Sequence, residues 1–127
     1  MIDPKMIKAL FYETHKAIKE SSADVVNNLA EVEVAYPPGS ELTVSEIAAL
    51  KTLELSPDAK SGLQKLISDA CSYPSFHLFS LMDGVADPES DDLGDWYGLD
   101  FSPKDENTDT TLHEEFLEAY WDYDENC

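Results

Sequence analysis

Apolar residues recur along this chain at the spacing of helix faces. Met6, Ile7, Leu10, Phe11, Thr14, Ala17 and Ile18 return every three or four positions, which predicts one buried stripe, with Lys5, Lys8, Tyr12, Lys16 and Lys19 on the opposite face. Asp3-Pro4 opens this helix with an N-cap acceptor and a proline at the first helical position, where its missing amide costs nothing. Val25, Val26, Leu29 and Val32 form a further stretch that either continues the helix through Ser21-Ser22 or starts anew from that pair.

Tyr36-Pro37-Pro38-Gly39-Ser40 stops the helical pattern, because consecutive prolines remove amide donors and glycine admits unusual dihedrals. Thr43-Val44-Ser45-Glu46 then reads as a capping box for a helix running to about Glu54 and burying Ile47, Leu50 and Leu53. Ser56-Pro57 repeats the cap-then-proline signature and starts a helix through Leu63, Leu66, Ile67, Ala70 and Cys71. Pro74 should kink or split that segment near Tyr73, leaving residues 76–82 as a short apolar piece at the centre of the core.

Beyond Gly84 the pattern loosens into an acidic loop over residues 85–95. Residues 95–102 alternate like a half-buried strand, with Tyr97, Leu99 and Phe101 on one side and Trp96, Gly98 and Asp100 on the other. Residues 103–110 form a second exposed polar loop. The last helix starts at Thr110 or Thr111, takes Glu114 into another capping box, and buries Leu112, Phe116, Ala119, Tyr120 and Tyr123. The expected fold is a mostly α single domain over residues 1–127, a bundle of four or five helices with one small extended element or hairpin. Pairing of residues 32–36 with residues 95–102 would make it α+β instead.

Charge changes what this domain can meet. The 127 residues include 27 Asp and Glu against 8 Lys, with no Arg, for a net charge of −19. The first 65 residues are nearly balanced, with ten acids and seven lysines, whereas residues 66–127 hold seventeen acids and one lysine. Nucleic-acid binding needs cationic side chains that displace phosphate counterions, so DNA, RNA and anionic lipid should be repelled. No apolar run reaches bilayer length and no signal-peptide pattern opens the chain, so membrane association is not expected and a cytoplasmic location is. Cys71 and Cys127 do not form a metal-spaced cluster, and the expected reducing compartment argues against a disulfide between them.

The familiar catalytic signatures are missing: there is no Gly-x-Ser-x-Gly elbow, no phosphate-binding Gly-x-x-x-x-Gly-Lys loop and no dinucleotide fingerprint, and no cofactor is expected. Two windows approach a calcium loop. The one from Asp87 has Asp92 where the turn glycine belongs and Gly98 in place of the bidentate Glu, and the one from Asp105 has Thr110 and Phe116 at those positions. His113-Glu114 opens a zinc-helix motif that Leu117 leaves unfinished.

At 100° per residue, Glu114, Glu115, Glu118, Asp122 and Glu125 fill the face of the last helix opposite its buried stripe, and Leu117 and Trp121 lie on the flank between. Trp121 is thus a large amphipathic ring bordering a carboxylate row. The competing assignment packs Trp121 against another helix of its own domain. In size and charge, and in no motif, the chain resembles small acidic bacterial proteins that neutralise toxins or mimic nucleic acids. The leading expectation is therefore a non-enzymatic module engaging a basic protein through Asp87, Asp91, Asp92, Asp95, Trp96, Glu114, Glu118 and Trp121. The alternative is a small metal-binding or hydrolytic domain using His77 or His113 with nearby carboxylates. A homodimer built on the aromatic C-terminal helix is a third outcome.

Overall fold

A computed structural model of the chain describes residues 3–105 and 111–125, with the Asp91 side chain left aside. Among the described residues it contains four α-helices and no strand, the mostly helical architecture that the apolar spacing predicts and not its α+β alternative. The chain divides into two compact units, Met1–Asn27 with Leu55–Pro103, and Asn28–Glu54 with Lys104–Cys127.

The first unit is built on two long helices, α1 (Pro4–Asn27) and α3 (Pro57–Met82). At the start of α1 the Asp3 carboxylate accepts from the Lys5 amide at 2.9 Å. The helix passes through Ser21-Ser22 without a break, and the Ser22 hydroxyl folds back to donate to the Lys19 carbonyl at 3.0 Å. That hydroxyl also accepts from Ser68 of α3 at 2.8 Å, while Phe11 meets Phe79 edge to face at a ring separation of 5.2 Å. Facing residue numbers rise on one helix and fall on the other, so the pair is antiparallel. Ser22, fully buried, and Val26, 4% exposed, are the buried residues among those described.

Ser56 caps α3 by accepting from the Ala59 amide at 3.1 Å, with Pro57 at the first helical position as expected. Pro74 does not split this helix, contrary to expectation. It removes the amide that would reach the Ala70 carbonyl, but α3 is held to α1 at Ser68 before the proline and at Phe79 after it, and the helix runs on through it. Residues 76–82 are not a core centre either, since Phe76 is 70% exposed and Leu78 is also exposed. A helix that meets one neighbouring helix covers one side only.

The second unit holds α2 (Val44–Lys51) and α4 (Leu112–Glu125). The capping box of α2 is formed as the sequence predicts: Thr43 Oγ1 accepts from the Glu46 amide at 3.1 Å, and Glu46 Oε1 accepts from the Thr43 amide at 2.8 Å. The helix ends at Lys51, with the Thr52 hydroxyl donating to the Ala49 carbonyl at 2.6 Å, so Leu53 falls outside it and is exposed rather than buried. Ile47 is half-buried and lines a hollow with Ala30, Val32, Val34 and Leu42. The stripe predicted for burial on α4 is also mostly open, since Leu112, Phe116, Ala119 and Tyr123 are exposed and Tyr120 is half-buried.

Two outcomes follow from these helix ends. Replacing Pro74 by alanine restores an amide donor in mid-helix and should stabilise the chain by about 1–3 kcal/mol in chemical denaturation; an unchanged or lower midpoint would contradict the account of α3. The backbone and hydroxyl bonds from Thr43 hold the Glu46 carboxyl below its ordinary value of 4.5. A lowered carboxyl contributes its stabilisation above the unfolded value and loses it as pH falls through the folded one. The ¹³C-detected titration of Glu46 should accordingly lie below pH 4.5 in the native chain and return towards that value in Thr43→Ala.

Candidate functional site

The acidic stretch after α3 is held by the helix end itself. Gly84, at a φ of 74°, closes a Schellman cap in which its amide donates to Leu81 and that of Val85 to Ser80, at 3.1 and 3.0 Å. The chain then returns, so that the Trp96 indole donates to the Leu81 carbonyl at 2.8 Å and the Leu99 amide to Met82 at 2.9 Å. The backbones cross too closely for side chains, since a Cβ on Gly98 would run into the Met82 carbonyl and one on Gly84 into that of Tyr97. Phe79 and Phe101 pack at a ring separation of 6.4 Å. Residues 96–99 therefore spend backbone bonds on a helix end and do not form the predicted strand. Trp96, Gly98 and Phe101 turn inward, while Tyr97 and Leu99 point to solvent, nearly the reverse of the alternation expected.

This return closes a hollow of about 580 Å³ in which Asp87 and Asp95 share walls with Trp96 and Tyr97. Asp92 is exposed on the 3₁₀ turn Asp91–Leu93 beside it, and the Asp91 side chain lies outside the described residues. Trp96 is half-buried, and its indole N–H is already engaged by α3.

In the second unit, Glu114, Glu118 and Trp121 lie along one exposed face of α4 at spacings of four and three residues, a helix that contains no lysine. Trp121 is 52% exposed. Its ring meets Tyr120 edge to face at 5.4 Å and runs over Gly39, where an added Cβ would be 3.9 Å from the indole edge. It thus leans on the 36–40 turn and not on another helix. Tyr36 of that turn stacks on Phe116 at 6.2 Å and meets Tyr120 edge to face at 5.5 Å. Burial among these rings pushes the Tyr120 phenol above its ordinary 10.0, with the charge of Asp124 one turn on adding to it. From the sequence, Tyr36 opens a Pro-Pro-Gly loop and ends the alternating stretch 32–36, with no packing role assigned to its ring. An aromatic directly before Pro-Pro-Gly was the available signal that this turn has something to pack against.

The two sets of predicted partner-binding residues thus belong to different units: Asp87, Asp92, Asp95 and Trp96 to one, Glu114, Glu118 and Trp121 to the other. His77 is exposed and stacks on Tyr73 at 6.0 Å, and His113 is exposed on α4. Among the described residues no three His, Cys, Asp or Glu side chains converge as metal ligands. The calcium-like window from Asp105 runs through residues 106–110, which lie outside the described residues, as does Cys127, whose pairing with Cys71 was considered; Cys71 is a half-buried free thiol. No helix among the described residues is long and apolar enough to cross a membrane.

Gly98→Ala should break the return of the acidic loop, since alanine at a φ of 102° is strained and its methyl meets the Met82 carbonyl. A loss of roughly 2 kcal/mol or more is expected, with a red shift of Trp96 emission read in a Trp121→Phe background. Unchanged emission would mean that Trp96 is not held by this crossing. No protein-family model, no curated protein and no solved structure matches this chain, so its function has to be read from its own surface chemistry.

Proposed function

We propose that this protein is a non-enzymatic acidic module that binds a basic protein. The observation that carries the reading is the α4 face on which Glu114 and Glu118 flank the half-exposed Trp121. Tryptophan is enriched among the few residues that dominate binding energy, because one rigid ring removes a large apolar area from water while its N–H stays available. Carboxylates around such a ring steer a cationic partner towards it and exclude acidic competitors. The first unit carries carboxylates of its own, Asp87 and Asp95, in a hollow beside Trp96.

The test is affinity capture from the native host at low and high salt, followed by kinetics with the recovered protein. Glu114→Lys combined with Glu118→Lys should slow association at low salt by at least about tenfold, with helix content preserved. Trp121→Ala should leave the on-rate nearly unchanged and speed dissociation by about thirtyfold. An on-rate indifferent to the double reversal would overturn the assignment of this face.

A further inference from the structure

The groove along the antiparallel α1–α3 pair is a second surface of different chemistry. It is a half-open cavity of about 550 Å³, lined by Phe11 and Ile18 of α1 and by Tyr73, Phe76 and Phe79 of α3. Phe76 and Tyr73 are 70% and 66% exposed there. Two helices bury one seam between them, and an apolar groove on the side of such a pair is the surface that further helices cover in a bundle.

Charge says what can cover it. α1 carries four lysines and three acids, and α3 two of each, so the pair has a net charge of +1 in a chain whose total is −19. The rest of the chain sums to −20, so a second copy is repelled least along this pair. Carboxylates line one wall of the groove. Asp69 of α3 and Asp83 at its C-cap line it, two turns before and after Phe76. On α1, Lys8 and Lys19 do not line the groove but stand at its edge, seven and four residues from His15, which does. Both lysines are exposed, with the Lys8 ammonium 5.5 Å from the centre of the Tyr12 ring.

We propose that this groove is occupied by the same groove of a second copy, the two pairs closing face to face as a two-fold bundle of four helices. Facing positions in the pair have residue numbers totalling 90, as for Ser22 with Ser68 and Phe11 with Phe79. Lys8 therefore stands level with residue 82 and Lys19 level with residue 71. A two-fold axis parallel to the helices keeps those levels and lays α1 of one copy over α3 of the other. Lys8 then faces Asp83 of the second copy and Lys19 faces Asp69, with every neighbouring helix antiparallel. Such an interface is isologous, so each contact is made twice.

Sedimentation equilibrium of the full chain over a micromolar concentration series tests this. The expected result is a reversible dimer of twice the chain mass. Phe76→Asp should weaken it at least about thirtyfold while circular dichroism retains the helices, and Phe116→Asp on α4 should leave it intact. Lys8→Glu with Lys19→Glu should weaken association, as should Asp69→Lys with Asp83→Lys. The four substitutions together exchange both sides of the groove and should restore it. A monomer at every concentration overturns the proposal, as does dissociation by Phe116→Asp without effect of Phe76→Asp, or a combined variant no stronger than its halves. None of these outcomes depends on the basic partner, so they are separable from the test of the α4 face.

Discussion

The hydroxyl contact in which Ser68 donates to the fully buried Ser22 is the point on which the first unit turns. A serine has little bulk, so two helices can approach closely at that level, and its polar atom is tolerable inside because both of its hydrogen-bonding roles are used. Ser22 donates within its own helix to Lys19 and accepts from the neighbouring one. Val26, one turn further on, is the apolar residue sealed by this approach. Everything else in the pair is arranged about that seam. The edge-to-face contact of Phe11 and Phe79 sets the other end of the register, and Pro74 lies in mid-helix between these two contacts.

So little burial on so much apolar sequence has a functional consequence. Hydrophobic residues make up 43% of the chain, yet large ones on every helix stand in contact with water. Scattered exposed apolar residues are ordinary, but contiguous ones mark places where something binds. Here they collect in two chemically distinct settings. Along α1 and α3 they are rimmed by opposite charges in near balance. On α4 they are bordered by carboxylates alone.

How much of this was legible depended on how local each feature is. The caps at Asp3, Thr43 and Ser56 were readable because a cap is completed within three or four residues of chain. The helical faces were readable from period, and so was the row of Glu114, Glu118 and Trp121. What failed was non-local. Pro74 was expected to kink or split a segment on backbone grounds, and that segment does not split but runs on alongside a helix some fifty residues earlier in the chain. Residues 95–102 alternate like a strand, but the end of α3 captures Trp96 and Leu99 and reverses which side faces inward. Burial of the α4 stripe was overestimated because period reveals which residues share a face and not how much surface exists to cover it. Tyr36 entered the aromatic cluster unannounced, since eighty residues separate it from Phe116.

The distribution of charge on α4 gives the last step. Glu114 and Glu115 in its first turn are favoured by the positive end of the helix dipole, but its last turn has no basic residue and carries Asp124 and Glu125 against the negative end. Each such opposition costs a few tenths of a kcal/mol at an exposed site. The sequence keeps that arrangement although a single lysine would relieve it. In the proposed complex a cationic partner would relieve it as well, and the unfavourable end of the helix would add to the driving force for association. A dimer closed through the α1–α3 groove would present that helix twice, turning a modest affinity for one cationic site into a larger one for a partner with two, provided that the two sites can be spanned. The two proposals thus give complementary uses, self-recognition and binding of a foreign partner, to the near-neutral and the acidic apolar surfaces of a chain that leaves so much of itself uncovered.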